Sequence, residues 1–171
     1  MEAKTVGIEQ IKVQDDGTFP NSRFPALLYK DVLDIPVLFK AAHVKNQFEK
    51  NGWSNSWDAG IFEYHHYHSV THEVLGVYKG QTTLQLGGPN GQKVFIEKAD
   101  VLVIPAGVAH KNLGDESGVS VVGAYFGGRD YDMNYGRPGE RPATDENIKK
   151  VPVPANDPVY GRDKGLFKIW K

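Results

Sequence analysis

Between His65 and Glu73 the chain places four of its six histidines and one carboxylate in nine positions, His-His-Tyr-His-Ser-Val-Thr-His-Glu. Imidazole and carboxylate are the donors that hold divalent transition metals when no thiolate is offered, and this chain has no cysteine. In an extended backbone alternate side chains share a face. His66 and His68 therefore project together, while His65 and Tyr67 project the other way. Glu73 follows at a distance that allows a short turn and a return strand bringing its carboxylate back to the same point. The stretch encodes part of a metal site within one hairpin. A regular strand turns His65 away from that site and leaves His72 in the turn, which gives both supporting or surface roles. A bulge between His65 and His66 would exchange those two.

Strands are needed to hold such donors, and the surrounding pattern supplies them. Phe62–His68, Glu73–Tyr78, Thr82–Leu86, Lys93–Glu97, Val101–Ile104 and Val119–Phe126 read as short strands, with Ala26–Tyr29 as an earlier one. Strands recurring every 8–12 residues or so, separated by glycine and proline turns, predict an all-β sandwich or barrel. Gly-Gly-Pro-Asn-Gly at 87–91 is a strong turn signal, and Pro105-Ala106-Gly107 suits a type I turn starting at Ile104. Leu38, Ala41, Val44 and Phe48 recur at helical spacing. Asp34 as cap, Pro36 in the first turn and Gly52 as stop frame one amphipathic helix over roughly 35–50. His43 falls on that helix as a surface residue. Trp53 and Trp57 sit in a turn-rich segment as packing anchors. Beyond Gly127 the sequence becomes irregular but stays aromatic. Tyr131, Tyr135, Tyr160, Phe167, Ile169 and Trp170 predict an ordered strap over the barrel rather than a second domain.

At 171 residues the chain is long enough to bury a core as a single domain: a barrel of about 58–127, with 1–57 and 128–171 packed on it. A formal charge of −1, with both signs interspersed, gives no electrostatic footprint for nucleic acid or an anionic membrane. A small molecule is the expected partner. No apolar run approaches the roughly 20 residues that span a bilayer, and the opening Met-Glu-Ala-Lys-Thr-Val-Gly has no apolar signal core, so a cytoplasmic address is expected.

A second stretch, Ala99-Asp-Val-Leu-Val-Ile-Pro-Ala-Gly-Val-Ala-His110, joins the first to give two motifs that resemble the signature pair of the cupin superfamily. Gly60, His66, His68, Glu73 and Gly80 match every position of the first motif. Pro105, Gly107 and His110 match the second, while Ala99 stands where glycine is usual, and Asn112 comes two residues early with Gly114 in the asparagine slot. The wording around these residues is similar to small bacterial cupins of the YjlB-like group. The resemblance implies a single-domain small jelly-roll β-barrel with one N-terminal helix and an irregular C-terminal wrap. It also implies His66, His68, Glu73 and His110 as ligands of one divalent transition metal (Fe, Mn, Ni, Co or Zn), and a homodimer. It implies no particular reaction.

Parity with the ligands places Phe62, Tyr64, Leu75 and Val77 toward the interior, which describes a largely apolar pocket with Tyr64 or a metal-bound hydroxide as the expected acid/base group. Asn112 shares parity with His110 and is expected to hydrogen-bond a ligand, and Gln85 offers a further amide from its strand. Arg129, Arg137 and Arg141 in the strap either clamp an anionic substrate or pair on the surface with Asp130, Asp132 and Glu140. The leading expectation is a mononuclear metal-dependent enzyme acting on a small oxygen-bearing metabolite, of dioxygenase, isomerase or lyase type. A binding or sensor module, or a barrel that uses its metal for stability alone, are the alternatives.

Overall fold

The computed structural model describes residues 7–171, and the leaderless reading of Met1–Val6 lies outside the described residues. The chain forms β1 (Ile8–Ile11), β2 (Ala26–Tyr29), helix α1 (Lys40–Lys50), β3 (Trp53–Ala59), β4 (Glu73–Leu86), β5 (Gln92–Glu97), β6 (Val101–Ile104), β7 (His110–Asn112), β8 (Val119–Phe126) and helix α2 (Ala143–Lys150). All strand pairings are antiparallel, in the order β1-β2-β6-β4-β8-β3, with β5 and β7 flanking the far half of β4. β4 thus belongs to two sheets. Its first half pairs with β6 and β8, its second half with β5 and β7, and its pairing with β8 shifts register between Val77 and Lys79.

The two sheets face one another across an apolar interior that includes Leu75, Leu102 and Val121 from one and Leu84, Leu86 and Ile96 from the other. The two sheets form a small all-β barrel. β5 alternates exposed and buried residues, so its sheet has one wet face. β2, β6 and the start of β4 are buried throughout because their outer face is covered as well. Val74, Val101, Val103, Val122 and Ala124 meet Val44 and Phe48 of α1 and Leu166 and Trp170 of the tail. The tail is tied down at Trp170, whose indole stacks on Phe24 at 5.1 Å and donates to the Pro25 carbonyl at 2.9 Å. Tyr131 and Tyr160 stay partly exposed, so Leu166 and Trp170 anchor this end rather than the tyrosines.

Several elements depart from the sequence reading. The helix starts at Lys40 instead of 35, because Phe39 adopts a left-handed conformation (φ 57°) that breaks the path from Pro36, and no side chain caps it. It ends at Lys50 with Gly52 just beyond as the expected stop, the Gly52 amide donating to the Glu49 carbonyl at 2.9 Å. Trp53 and Trp57 lie on β3, an edge strand, not in turns. The two strands expected at 73–78 and 82–86 are one. Phe62–His68 is not a regular strand, and only His66 and Tyr67 make isolated bridges. The tail contains α2, whose Asp145 and Glu146 in the first turn and Lys149 and Lys150 in the last suit the helix dipole. The turn after β6 begins at Pro105, with Val108 donating to its carbonyl at 3.1 Å and Gly107 at φ 94°, which is type II character. Ala99, in the usual glycine position, takes φ 79°. Among the described residues no helix is long and apolar enough to cross a membrane.

Candidate metal centre

Three backbone features bring the histidines together. His66 and His110 form an antiparallel bridge, with His110 N donating to His66 O at 2.9 Å and the reciprocal bond at 3.2 Å. Gly107 donates to the His68 carbonyl at 2.7 Å. Any Cβ at Gly107 would lie 2.2 Å from the Asn21 carbonyl oxygen, so the turn that delivers His110 needs glycine on steric as well as conformational grounds. Glu73 opens β4 opposite Ile104 and Tyr125. The result is a buried trio, His66, His68 and His110, whose ligand atoms lie within 4.8 Å of one another and could hold a metal ion. The Glu73 carboxylate faces the trio, 3.2 Å from His68 Nε2 and 3.4 Å from His110 Nε2.

The opposite nitrogen of each ring fixes its role. His66 Nδ1 lies 3.1 Å from the Tyr64 carbonyl, His68 Nδ1 2.6 Å from that of Asp132, and His110 Nδ1 3.1 Å from that of Val108. A carbonyl only accepts, so each Nδ1 carries a hydrogen, which turns the Nε2 edge of each ring toward its neighbours. The three histidine nitrogens form a donor set that could hold a cation, with the Glu73 carboxylate against two of them. Burial, helped by His110, holds His66 down at about 3, so it stays neutral. Burial also opposes charge on His68, but the Glu73 carboxylate outweighs it and raises the ring. Burial works to raise Glu73, yet His68 and His110 hold it well below the usual carboxylate range. Asp132 belongs to the tail: besides receiving His68, its carboxylate accepts from the Ser69 amide at 2.7 Å and from the Ser69 hydroxyl.

A cavity of about 230 Å³ opens above these groups, walled by Trp57, Ile61, Phe62, Leu75, Tyr125, Tyr131 and Met133. Trp57 lies flat on β8 because residue 123 is glycine, where a Cβ would sit 2.1 Å from the indole. Its Nε1 donates to the Tyr125 hydroxyl at 2.9 Å. Burial and the neighbouring Glu73 carboxylate push the Tyr125 phenol up, so it keeps its proton. Trp57, Tyr125, Tyr131 and Met133 were not anticipated in the site. Tyr125 was within reach, since it shares strand parity with the core residues Val119 and Val121, whereas nothing in the local pattern marks Tyr131 or Met133.

The residues expected to do acid/base or substrate-binding work lie elsewhere. Tyr64 does not wall the cavity; it is 43% exposed and stacks on Phe62 at 4.9 Å. Asn112 is buried outside the cavity with its amide spent on structure, accepting from the Thr82 hydroxyl at 2.6 Å and the Gly114 amide at 2.9 Å and donating to the Ile61 carbonyl at 3.3 Å. It closes its own loop because Gly114, in the asparagine slot, has no side chain to do so. Gln85 donates to Pro89 O, away from the site, and Val77 is core. None of the three tail arginines reaches the cavity. Arg129 donates to Val70 O, Arg137 lies over Tyr135, and Arg141 pairs with Asp15 and Asp145 rather than Glu140.

His65 points away from the trio toward Phe19, 5.8 Å between ring centres. His72 lies on the outer face of the sheet against Trp170 (4.8 Å), where its Nδ1 accepts from the Ala106 amide at 2.8 Å and its Nε2 donates to Pro152 O at 3.0 Å. Burial lowers this ring from 6.5 to about 4. Below pH 6.5 the unfolded chain takes up a proton that the folded one refuses, so folding stability falls with pH down to about 4 and then levels. The gap corresponds to about 3 kcal/mol. Thermal melts across that range are expected to show the decline, and His72→Gln to flatten it; an unchanged slope in the variant would refute the assignment.

No family model matches the chain. It is 42% identical over 157 residues to the uncharacterized protein YjlB of Bacillus subtilis (strain 168), covering 91% of this chain and 92% of that one. Among solved structures it is similar to acireductone dioxygenase from Bacillus anthracis with a cadmium ion in its active centre, at 17% identity and a TM-score of 0.41, over 56% of this chain and 64% of that chain. It is also similar to a DUF861 family protein from Thermotoga maritima, at 24% identity and a TM-score of 0.32, over 54% and 92% of the two chains.

Proposed function

The chain belongs to the family of the Bacillus subtilis protein YjlB, and from that starting point we propose that it is a cupin and a mononuclear metal-dependent enzyme acting on a small oxygen-bearing molecule. The observation that supports this reading is the convergence of three buried histidines, with the Glu73 carboxylate against two of them, on an apolar cavity. His66, His68, His110 and Glu73 would hold a divalent ion of Fe, Mn, Ni, Co or Zn, with room left for a substrate oxygen. Such an ion supplies Lewis-acid polarisation for isomerisation or lyase chemistry, or, as Fe(II), redox chemistry with O₂. The chain contributes the rest. The carbonyls of Tyr64, Asp132 and Val108 fix the ring orientations, which preserves the donor geometry. Tyr125 holds a proton on its hydroxyl beside Glu73, oriented by Trp57, and so takes the acid role first given to Tyr64. The aromatic walls keep bulk water from the reacting atoms.

The test is to load the purified protein anaerobically with each of the five ions, measure stoichiometry, and follow O₂ uptake and product formation over a panel of small oxygen ligands. Stoichiometric binding with turnover by at least one metal is expected. Recovery of every bound molecule unchanged, with each metal, would replace catalysis by binding alone. A homodimer is part of the same proposal, supported by a run of apolar side chains in the open: Val37 is 88%, Leu38 69% and Phe39 83% exposed. A surface of that kind is usually covered by a partner. Sedimentation equilibrium decides between dimer and monomer.

A further inference from the structure

The walls of the cavity limit what it can take, and this inference rests on the metal-site reading above. Glu73 is the one carboxylate that touches the space, and among the described residues no lysine, arginine, asparagine, glutamine, serine or threonine lines it. The Trp57 N–H is spent on Tyr125, and Tyr125 sits beside Glu73. That leaves the Tyr131 hydroxyl, at the rim where the residue is 48% exposed, as the free polar group of the wall. A divalent ion with Glu73 carries a net single positive charge, and nothing else in the walls balances a second negative one. Burying an unpaired charge or an unsatisfied polar group in such a space is strongly unfavourable.

Volume and shape narrow the choice further. The cavity of about 230 Å³ is smaller than the roughly 300–1,000 Å³ of drug-sized ligand pockets. It is larger than the roughly 150 Å³ apolar cavity that accommodates benzene. The flat faces of Trp57, Phe62 and Tyr131 suit a planar or branched apolar body.

We propose that the site takes a small molecule whose polarity is confined to one singly ionised pair of adjacent or 1,3-related oxygens, carried on an uncharged apolar body of about one ring. Enolised diketones, catechols and aryl 2-hydroxy acids are of this class. Sugars, sugar phosphates and dicarboxylates are not, because their further hydroxyls or charges would be buried without partners.

The experiment uses the full chain loaded with Zn(II), which is redox-silent, so binding is read without turnover. Acetylacetone, catechol and mandelate are titrated by calorimetry against malonate, malate and glycerol phosphate, with the zinc content checked before and after. Malonate is the sharpest control because it offers a comparable oxygen chelate with one more charge. The first three are expected to bind and to quench a Trp57 fluorescence component that is absent in Trp57→Phe. The last three are expected to bind about 100-fold more weakly or worse, the cost of an unpaired buried charge. Met133→Lys, which adds the missing cation to the wall, is expected to narrow that gap. Zinc binding with malonate or malate preferred would overturn this inference and leave the metal reading standing. Failure to bind zinc or any of the other four ions would overturn both.

Discussion

Replacing His110 by alanine is expected to weaken metal binding by at least about 100-fold, more than the loss of an outer partner, which costs about 10–100-fold. The variant should still fold. His110 joins the fold through backbone bonds to His66 that alanine keeps, and its side chain contributes an Nε2 to the trio and a contact to Glu73 Oε1 at 3.4 Å. Taking it away removes one of four donors and leaves the carboxylate short of a partner. A competing chromophoric chelator reads the affinity directly. Thermal melts read it independently, because a ligand at 100 times its Kd stabilises the folded state by about 2.7 kcal/mol, and that increment should vanish in His110→Ala. His65→Ala is the control. His65 is adjacent in sequence to His66 but faces Phe19, so its removal should leave the affinity within a few-fold. Equal losses in the two variants would mean that the ligands have been misassigned.

The second large effect is expected far from the cavity, at Asp157. This carboxylate is wholly buried and accepts from the Tyr29 hydroxyl and from the amides of Val159 at 2.8 Å, Tyr160 at 2.9 Å and Leu166 at 2.9 Å. It ties β2 to the last turn of the chain and thereby seats Leu166 and Trp170 on the outer face of the sheet. Asp157→Ala leaves a buried hydroxyl and three amides without acceptors. The expected loss is about 3–5 kcal/mol, the range for stripping one side of a buried charged network. Asp130→Ala, at an exposed aspartate, should stay within about 0.5 kcal/mol. Urea unfolding of the pair measures the difference, and a loss below about 1 kcal/mol in Asp157→Ala would show that the tail does not depend on this anchor.

How much of this could be read in advance varies with the range of the interaction. The separation of His66 and His68 from His65 was legible because it rests on two-residue alternation, which survives even though the segment is a pair of isolated bridges rather than a strand. The start of α1 was not, because a left-handed Phe39 is not encoded by any local preference. α2 was legible in principle, since its acidic first turn and basic last turn lie in plain view after Pro142. Tyr64 and Asn112 were misplaced because parity gives the face of a strand but not which other groups compete for a side chain. Phe62 and the Thr82 hydroxyl won those two. Asp157 carries no sequence signal, as its four donors come from three separate parts of the chain.

The sequence by itself determined the barrel, through alternation and turn chemistry, and the grouping of His66, His68 and Glu73, through their spacing; His110 came from the resemblance of the second stretch. Both depend on residues a few positions apart, where backbone geometry leaves little freedom. The tertiary structure alone decided what surrounds those donors: Trp57 from the edge strand, Tyr125 from β8 and Tyr131 from the tail meet over the site only because three distant segments pack there. The same packing keeps the tail arginines Arg129, Arg137 and Arg141 out of the cavity, since each finds its partner elsewhere. The hairpin's share of the donors is written in local spacing, whereas pocket chemistry is written in long-range contacts that no local pattern encodes.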